Sequence, residues 1–478
     1  MTTNYIAGAW IDGLGGELIS LNPSDIREVV GAYHQAGASD ATDAVAAAHA
    51  VFASWASSPI QQRFDVLDAA GNEILARVSE IGHLIAREEG KTLPDGIAEA
   101  KRTAAIFKFH AGEALRLSGE AVTSTRPGVE VEVRREALGV VALITPWNFP
   151  MAIPAWKIAP AIAAGCTIVF KPASYVPACA IELARILERA GLPAGVLNLV
   201  VGSGSKIGDV LVSDKRVAGI SFTGSVGVGR SLAVGCAARG ARVQLEMGGK
   251  NPLVILDDAD IDRAVQISAD GAFFQAGQRC TASSRFIVTR GIHDRFVEAL
   301  QKRMRQLTVD HALKEGTHIG PVVDGRALRD ILGHVDAGRA EGAELVEGGD
   351  RLNRETPGHY MAPTLFVGTK PEMGINKEEI FGPVASIQRA EDYEEALAMS
   401  NDTQFGLSAG ICTTSLKYAR DFRRRSETGL VMVNLPTAGL DYHVPFGGRK
   451  ASNYGPREQG SYAREFFTIV KTAYIDPM

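Results

Sequence analysis

Between residues 138 and 246, short apolar runs alternate with segments of helical length. The apolar runs predict buried strands, because they are almost continuously apolar and too short for buried helices. The runs are residues 139–145, 167–170, 196–200, 218–222 and 242–245, and the helical segments between them are residues 154–164, 177–190, 206–212 and 226–238. Strands that alternate with helices in this way form a parallel, doubly wound sheet. The sequence therefore predicts an α/β protein.

The regions on either side of this stretch differ from each other. Apolar runs later in the chain predict a second α/β lobe that begins near residue 247; they are residues 253–256, 285–289 and 431–434. The first quarter of the chain predicts mainly helices, at residues 40–55, 60–89 and 93–117. Residues 129–134 alternate valine with charged residues, which is typical of a strand with one wet face, and residues 466–475 also predict a strand.

Charge and cysteine content exclude several classes of protein. The 478 residues carry a formal net charge of −5 and no long Lys/Arg run, which argues against nucleic acid as a partner. The five cysteines are widely spaced and contain no C-x-x-C pair, so neither a disulfide framework nor a zinc site is expected, and a reducing cytoplasm is indicated. The N-terminus does not resemble a secretory signal, and no apolar stretch is long enough for a bilayer, so no membrane partner is expected.

Cys280 and Glu246 are the residues that most directly suggest chemistry. A thiol can attack a carbonyl carbon, and a carboxylate can activate that thiol or a water. The two residues are distant in sequence, so they act together only if the fold joins them. An isolated cysteine is more often an inert buried side chain, and an isolated glutamate is often an ion-pair partner. The neighbouring segments therefore have to decide between these alternatives.

Three segments that follow predicted strands carry candidate ligand-binding residues. Gly224 and Ser225 lie where a strand runs into a helix, an arrangement that lets the backbone approach a pyrophosphate. Lys171 also follows a strand and can reach ribose hydroxyls or a phosphate, and Asn148 offers an amide donor suited to an oxyanion. Each has an ordinary alternative, namely helix packing for the glycines, solvation for the lysine and a proline-bounded turn for the asparagine.

Seven segments form an ordered set that covers almost the whole chain: TPWNFP, KPAS, FTGS, LEMGGKNP, GQRC, EEIFGP and PFGGRK. This set resembles the NAD(P)-dependent aldehyde dehydrogenase superfamily. The resemblance implies an aldehyde dehydrogenase-like α/β fold, with a Rossmann-type cofactor domain, an α/β catalytic domain and a small β oligomerisation hairpin. It also implies a nicotinamide cofactor, a small aldehyde substrate and no metal.

The resemblance assigns roles to the matching positions. It implies that Cys280 is the nucleophile, that Glu246 is the general base, and that Asn148 and the backbone N–H of Cys280 form the oxyanion hole. The cofactor contacts that it implies are Trp147, Lys171, Ser174, Gly224, Ser225, Glu379 and Phe381. The expected reaction oxidises an aldehyde to a carboxylate through a Cys280 thiohemiacetal and thioester.

The same three positions distinguish the hypothesis of a hydrolytic aldehyde dehydrogenase from two alternatives. The acylating subclass, which releases an acyl-CoA, typically lacks the glutamate, so Glu246 favours hydrolysis and a non-acylating enzyme. A non-catalytic structural or binding member of the family would be expected to lose Cys280, Glu246 or Asn148, and all three residues are present.

Ser174 bears on the choice between NAD and NADP. Many NAD-selective relatives carry Glu at this position, three residues after the lysine of the KP segment. Serine removes a carboxylate that would repel a 2′-phosphate, and its hydroxyl can donate a hydrogen bond to that phosphate. The sequence predicts that NADP is accepted or preferred, with Lys206 as a second phosphate contact.

Arg279 directly precedes the nucleophile and bears on the substrate. It could pair with a substrate carboxylate, or it could form a salt bridge under the loop. Phe149, Trp156 and Phe446 match walls of the family's substrate funnel. Longer stretches resemble bacterial α-ketoglutaric semialdehyde (2,5-dioxopentanoate) dehydrogenases and imply 2,5-dioxopentanoate as substrate and 2-oxoglutarate as product. The alternatives are a broad-specificity, a succinic-semialdehyde and an aromatic aldehyde dehydrogenase.

The resemblance also predicts how the chain is divided and assembled. Residues 1–117 and 138–246 are expected to form the cofactor-binding domain, and residues 247–435 the catalytic domain. Residues 118–137 and 458–478 are expected to be oligomerisation segments of a homodimer or homotetramer. Residues 436–457 are expected to line the substrate funnel on the return to the cofactor domain.

Overall fold

The structure is a computed structural model that describes residues 2–477. Its strands, in chain order, are β1 (Asn4–Ile6), β2 (Ala9–Ile11), β3 (Gly16–Asn22), β4 (Asp25–Gln35), β5 (Glu120–Thr123), β6 (Glu130–Ala137), β7 (Val140–Ile144), β8 (Thr167–Lys171), β9 (Leu197–Leu199), β10 (Val217–Thr223), β11 (Arg242–Glu246), β12 (Asn251–Ile255), β13 (Ser283–Thr289), β14 (Glu344–Glu347), β15 (Thr364–Val367), β16 (Val384–Ala390), β17 (Phe405–Gly406), β18 (Ser408–Cys412), β19 (Leu430–Val433), β20 (Arg449–Lys450), β21 (Asn453–Tyr454) and β22 (Thr468–Ile475).

The helices pack on both faces of the two large sheets that these strands form. In chain order they are α1 (Ala38–Ala56), α2 (Ile60–Ala76), α3 (Val78–Glu89), α4 (Leu93–Leu115), α5 (Ala152–Ala164), α6 (Pro177–Arg189), α7 (Gly204–Ser213), α8 (Val226–Ala237), α9 (Ile261–Ala272), α10 (His293–Met304), α11 (Gly325–Ala340), α12 (Gly374–Lys377), α13 (Tyr393–Asn401), α14 (Leu416–Arg425) and α15 (Arg464–Phe467). Within the described residues, no helix is both long and apolar enough to cross a membrane.

The first large sheet has the strand order β2-β1-β9-β8-β7-β10-β11-β21. Its five central strands, β9-β8-β7-β10-β11, are parallel to one another. Helices α2 to α6 pack on one face, and α1, α7 and α8 pack on the other. The chain winds outwards from β7 in both directions, so the order reverses between β7 and β10. The doubly wound sheet predicted from the alternating pattern is therefore confirmed, and its switch point is where ligands bind in such sheets.

The second large sheet has the strand order β14-β15-β16-β13-β12-β18-β19. All of its pairs are parallel except β14 with β15. Its core is formed mainly by apolar side chains from the strands and from α9, α10 and α11. The second α/β lobe expected after residue 247 is thus present, and its first strand, β12, begins at Asn251.

The N-terminal quarter differs from the mainly helical expectation. Four strands precede α1, and β1 and β2 extend the first large sheet along an antiparallel edge. The single helix expected over residues 60–89 is two helices that break at Arg77, whose backbone leaves the helical region (φ −110°, ψ 21°). The Arg77 guanidinium bonds Glu73 and Glu80 on either side of the break, and also Glu182 of α6. This cross-helix ion pairing gives a local reason for the break.

A smaller sheet joins two segments that are distant in sequence. Strand β22 pairs with β6 over its whole length, from Thr468 opposite Ala137 to Ile475 opposite Glu130, and β5 pairs with the other edge of β6. The strand predicted over residues 466–475 is confirmed from Thr468 onwards, and a short helix, α15, precedes it.

Candidate active site

A cavity of about 230 Å³ lies where the switch point of the first sheet faces loops of the second. It is lined by Pro146, Trp147, Asn148, Ile153, Trp156, Thr223, Gly224, Ser225, Glu246, Met247, Gly248, Cys280, Glu379, Phe381 and Phe446. The cavity brings together all three residues predicted to be catalytic. It also joins five of the seven predicted cofactor contacts and two of the four predicted substrate contacts.

In the first sheet, several cavity residues lie at the carboxyl ends of parallel strands. Asn148 follows β7, Thr223 ends β10 and Glu246 ends β11. Lys171 is the last residue of β8. Because the carboxyl ends of parallel strands lie along one edge, four turns that are far apart in sequence meet beside the switch point.

In the second sheet, the cavity residues lie before the amino ends of strands. Cys280 precedes β13, and Glu379 and Phe381 precede β16. The Cys280 loop is held by Asn251, whose Nδ2 donates to the carbonyl oxygens of Cys280 and Ala282 at 2.8 and 2.9 Å. The sequence analysis did not single out Asn251, although it belongs to the same LEMGGKNP segment as Glu246.

Burial dominates the electrostatics of Cys280. Its side chain is half-buried, and desolvation, followed by the nearby charges of Glu379 and Glu246, raises the pKa of the thiol to about 12. The resting group is therefore a neutral thiol that must lose its proton to become a nucleophile. The other four cysteines are buried, and all five are free thiols.

Glu246 is fully buried and carries the charge partners expected of a tuned acid–base group. Desolvation, followed by the charge of Glu458, holds the pKa of its carboxyl well above the usual range, while the charges of Lys157 and Arg457 oppose that shift. One carboxylate oxygen accepts a hydrogen bond from Asn453 at 2.5 Å, and the other has no partner among the described residues. A buried carboxyl with a raised pKa and a free oxygen can accept a proton from water when it is ionised.

Glu458 and Lys157 form a buried ion pair next to Glu246, and sequence reasoning missed both. Lys157 contacts Glu458 directly and donates to the hydroxyl of Ser221 at 2.8 Å. Lys157 lies on α5, in which every residue is buried. The available signal was the lysine itself, since a charged residue in a continuously apolar helix requires a buried partner.

Asn148 points its amide at the loop that carries the nucleophile. Its Nδ2 donates to the backbone carbonyl of Gln278 at 3.0 Å. The backbone carbonyl of Asn148 accepts from the Nζ of Lys91 at 2.7 Å. Lys91 also pairs with Glu99 at 2.6 Å, and Glu99 in turn accepts from the N–H groups of Met151 and Ala152. This buried network fixes the turn after β7, so the amide of Asn148 is held in place before any ligand binds.

The turn at the start of α8 has the features of an anion-binding site. Ser225 is the N-terminal cap of α8, but its side chain makes no capping bond, so the first N–H groups of the helix have no side-chain acceptor there. Such a helix start suits a pyrophosphate. Burial lowers the pKa of Lys171 to about 8, and its Nζ donates to the carbonyl of Pro172 at 2.9 Å. The hydroxyl of Ser174 donates to the carbonyl of Gly202 at 3.2 Å.

Glu379, Phe381 and Trp147 form the wall between that turn and Cys280. Glu379 accepts from the N–H of Gly249 at 2.9 Å, and burial raises the pKa of its carboxyl to about 7. It packs so closely on Gly248 that a Cβ there would clash with the carboxylate. The rings of Trp147 and Phe381 meet edge to face at 5.5 Å, and Phe381 has a positive φ of 55°. The two side chains make an aromatic wall suited to a flat ring.

The predicted substrate contacts divide into two groups. Trp156 stacks on Phe446 at 5.3 Å, and both rings line the cavity. Phe149 lies outside the cavity lining, with the Nζ of Lys91 4.1 Å from its ring. Arg279 is also outside that lining, and its Nη2 donates to the carbonyls of Asp270 and Gly271 at the end of α9. Arg279 makes no salt bridge within residues 2–477, so the salt bridge considered for it is replaced by helix-terminal carbonyls.

No cluster of three or more His, Cys, Asp or Glu side chains suited to a metal ion occurs in the part of the chain that the structure describes. The cavity thus offers a thiol, a carboxyl and an amide donor as its reacting groups. They lie next to a helix start that suits a phosphate. This set can add a thiol to a carbonyl, stabilise the oxyanion and hydrolyse the adduct.

Known proteins that resemble this chain do so over nearly its whole length. The family model described as "Aldehyde dehydrogenase family" matches residues 10–473. An alpha-ketoglutaric semialdehyde dehydrogenase of Bacillus subtilis is 40% identical over 99% of this chain and 98% of its own length. A 2,5-dioxopentanoate dehydrogenase of Saccharolobus solfataricus is 40% identical over 98% of each chain. An alpha-ketoglutarate semialdehyde dehydrogenase of Haloferax volcanii is 42% identical over 98% of each.

Two solved structures extend the comparison to three dimensions. The crystal structure of betaine aldehyde dehydrogenase from Staphylococcus aureus in complex with NAD+ has a TM-score of 0.97 and 32% identity, over 100% of this chain and 95% of that one. The crystal structure of an E. coli NADP-dependent enzyme has a TM-score of 0.95 and 34% identity, over 99% and 98% of the two chains.

Proposed function

Because the chain belongs to the aldehyde dehydrogenase family, we propose that it oxidises 2,5-dioxopentanoate to 2-oxoglutarate with NAD or NADP. The observation that carries the proposal is the single cavity that holds Cys280, Glu246 and Asn148 together. Three full-length relatives whose names specify this substrate support the choice of aldehyde.

The chain's own residues account for the covalent steps. The sulfur of Cys280 bonds to the aldehyde carbon as its thiol proton passes to solvent water, and the C=O π electrons move to the carbonyl oxygen, which becomes an oxyanion. The Nδ2 of Asn148 and the backbone N–H of Cys280 stabilise that oxyanion as the thiohemiacetal forms. When NAD or NADP is bound, its nicotinamide supplies the acceptor for the hydride that the thiohemiacetal loses. Glu246 then takes a proton from water, whose oxygen attacks the thioester carbon and releases a carboxylate and the thiol.

Glu246 makes the proposed enzyme non-acylating. Its carboxyl is buried in the cavity with one oxygen free of partners among the described residues, so a water can be activated next to the thioester. An acyl-CoA product would need a second thiol to arrive at the same place. We therefore expect a free carboxylate as product, formed without coenzyme A.

The residues that would hold the dinucleotide are those of the switch point. The start of α8, with Gly224 and Ser225, suits the pyrophosphate, and Lys171 lies within reach of a ribose. Glu379, Phe381 and Trp147 suit the nicotinamide ribose and ring. Ser174 presents a hydroxyl instead of a carboxylate, so NADP is accepted or preferred.

A direct assay tests the function. Formation of reduced cofactor is followed by absorbance with 2,5-dioxopentanoate, succinic semialdehyde, benzaldehyde and butanal, each with NAD and with NADP, and 2-oxoglutarate is quantified separately. We expect kcat/KM for 2,5-dioxopentanoate to exceed that for butanal by at least about tenfold, a difference of about 1.4 kcal/mol. A higher kcat/KM for a neutral or aromatic aldehyde would contradict the substrate, and no turnover of any aldehyde would contradict the function.

The same proposal covers the division of the chain and its assembly. Residues 1–117 and 138–246 carry the cofactor site, and residues 247–435 carry the nucleophile. The sheet of β22, β6 and β5 leaves apolar side chains exposed, including Val122, Val470 and Tyr474, which supports a homodimer or homotetramer built on residues 118–137 and 458–478. Sedimentation that shows only a 50.8 kDa species at micromolar concentration would contradict it. The free cysteines support a cytoplasmic location.

A further inference from the structure

Three neighbouring side chains beside the cavity each keep one buried N–H group without a hydrogen-bond acceptor among the described residues. These groups are the Nε of Arg102, the Nε1 of Trp156 and the Nε2 of Gln459. A buried donor without an acceptor is costly, about 1–3 kcal/mol for each group. Three of them on neighbouring side chains would suit a ligand that is rich in acceptors.

Arg102 contacts each of the other two side chains, and Trp156 is the one of the three that reaches the cavity. The Nη2 of Arg102 donates to the Oε1 of Gln459 at 3.0 Å, and this bond turns the amide nitrogen of Gln459 away from Arg102. The guanidinium carbon of Arg102 lies 5.9 Å from the centre of the Trp156 ring. Trp156 lines the cavity that contains Cys280. The donors therefore form a continuous cluster at the Trp156 side of the site.

Arg102 lacks the counter-charge that a largely buried guanidinium requires. No carboxylate lies within salt-bridge distance of it in residues 2–477. Burial lowers the pKa of its guanidinium, and the more distant charges of Glu99 and Asp441 oppose that shift only in part. Glu99 is already bonded to Lys91 and to two backbone N–H groups. Arg102 does donate through Nη1 to the carbonyl of Leu440, but its Nε remains free.

A second buried arginine shows what a purely structural guanidinium looks like in this protein. Each of the three nitrogens of Arg285 donates to a backbone carbonyl, those of Lys250, Met399 and Ser400. Every nitrogen of Arg285 thus has an acceptor, whereas the Nε of Arg102 has none and lies beside two further unpaired donors.

The backbone of Gln459 is also unusual. Its φ of 59° lies in the left-handed region, which a glutamine rarely adopts, and the residue is fully buried. Strained backbone of this kind persists when the surrounding structure holds it, and it concentrates at functional sites. Here the strained conformation places the amide against Arg102.

We propose that Arg102, Gln459 and Trp156 bind the carboxylate end of the substrate while its aldehyde carbon lies at Cys280. The proposal rests on the proposed function, because it assumes that an aldehyde reacts at Cys280. The 2-oxo acid end of 2,5-dioxopentanoate carries three acceptor oxygens and no donors, which complements a cluster of three unpaired donors. A guanidinium–carboxylate contact supplies the strongest of these bonds.

Three substitutions separate a carboxylate site from a structural role. Gln459→Glu places a carboxylate against Arg102, so the guanidinium is neutralised and remains bonded while the substrate carboxylate is repelled. Trp156→Phe keeps an aromatic ring but removes the indole N–H together with part of the ring system. We expect the ratio of kcat/KM for 2,5-dioxopentanoate to kcat/KM for butanal to fall about 10- to 100-fold in Gln459→Glu and in Arg102→Met, and less in Trp156→Phe.

The matched control is Arg185→Met. Arg185 also lies over a tryptophan, 5.2 Å from the ring of Trp10, but it is remote from the cavity. We expect this variant to keep the wild-type ratio. An equal loss with both aldehydes in Arg102→Met and Gln459→Glu would show a structural role and overturn the proposal. A selective loss in Arg279→Met, together with an unchanged ratio in Arg102→Met, would place the carboxylate at Arg279 and overturn it as well.

A binding measurement keeps this test independent of turnover. 2-Oxoglutarate should raise the thermal midpoint of the wild-type protein and leave that of Gln459→Glu unchanged, since ligand binding to the folded state stabilises it. If the wild type oxidises no aldehyde but 2-oxoglutarate still stabilises it through Arg102, the proposed function fails and the carboxylate site stands. If 2-oxoglutarate shifts both proteins equally, the carboxylate site is wrong whatever the activity.

Discussion

The two large sheets contribute to the same cavity from opposite strand ends. In the first sheet, Asn148, Lys171 and Glu246 lie at the carboxyl ends of parallel strands, where α/β proteins usually bind ligands. In the second sheet, Cys280 and Glu379 lie before β13 and β16, at the amino ends. The second sheet therefore places its reacting residues on loops that need separate anchoring, and Asn251 provides it.

This difference suggests a division of labour. The carboxyl-end turns of the first sheet are fixed by buried ion pairs, Lys91 with Glu99 and Lys157 with Glu458. In the proposed reaction, these turns hold the groups that stabilise charge or move protons. The amino-end loops of the second sheet hold Cys280, whose sulfur is proposed to form the covalent bond. Substitutions in the carboxyl-end turns and in the amino-end loops should therefore slow different steps of the reaction.

Removal of the nucleophile should have the largest effect. Cys280→Ala leaves no atom that can bond to the aldehyde carbon, so kcat should fall by at least about 10⁴-fold. The matched variant Cys412→Ala, which changes a buried cysteine at the end of β18, should retain activity. Steady-state assays of both proteins at equal folded concentration test this expectation. Substantial turnover by Cys280→Ala would show that the covalent bond is not formed by the amino-end loop that contains Cys280.

Glu246→Gln should come next and should isolate a single step. Without a base the thioester is hydrolysed slowly, so we expect one equivalent of reduced cofactor per subunit in a fast burst, followed by turnover reduced about 10²- to 10⁴-fold. Stopped-flow absorbance measures both phases. Glu298→Gln, on the exposed face of α10, is the control and should turn over normally. A variant without a burst would mean that Glu246 is already needed when the thiol reacts.

Asn148→Ala should have a somewhat smaller effect. Loss of one oxyanion donor typically costs about 10²- to 10³-fold in kcat, and the Cys280 N–H would remain as a second donor. Asn148→Asp keeps the size of the side chain but removes the donor, so it should be as slow or slower. The exposed Asn353→Ala is the control. If the loss appeared in KM with kcat unchanged, Asn148 would bind the ground state and not the oxyanion.

Sequence patterns predicted more strands of the first sheet than of the second. The alternation of apolar runs and helices indicates parallel strands, and Asn148, Lys171 and Ser225 were candidates because each lies at or after the end of such a strand. Cys280 and Glu246 were candidates from their chemistry alone, and their roles, like that of Glu379, depended on the family resemblance. The family and the fold implied by that resemblance are confirmed.

Long-range partners could not be predicted from the sequence. Lys157 and Glu458 are far apart in the chain, as are Arg102 and Gln459, and only the folded chain shows that they meet. The choice of Arg279 as a carboxylate ligand followed from its place next to Cys280. In the structure its guanidinium turns to the end of α9, because the last carbonyls of a helix lack partners within that helix.

The pH dependence of thiol reactivity tests the environment of the amino-end loop. The pKa of the Cys280 thiol is raised to about 12, above the range of the assay, so the thiolate fraction should grow with every step upward in pH. The rate of inactivation by iodoacetamide should rise about tenfold per unit, or about 100-fold from pH 7 to pH 9. Cys280→Ala controls for other sites. A rate that is flat over this range would indicate a preformed thiolate.

Ser174→Glu should give the smallest effect, because Ser174 lies beyond the end of β8 and does not touch the reacting groups. A carboxylate there would repel a 2′-phosphate and accept hydrogen bonds from a free ribose. The ratio of kcat/KM for NADP to kcat/KM for NAD should fall about 10- to 100-fold, with kcat for NAD nearly unchanged.

Ser174→Ala separates repulsion from loss of a donor. It removes a hydroxyl that already donates to the carbonyl of Gly202, so it should lower the same ratio by only about two- to fivefold. Equal effects of the two variants would mean that the hydroxyl, and not the absence of a carboxylate, sets the cofactor choice. A changed kcat with NAD in either variant would extend the influence of the β8 turn to the reacting atoms. That result would remove the proposed separation between turns of the first sheet that bind and loops of the second that react.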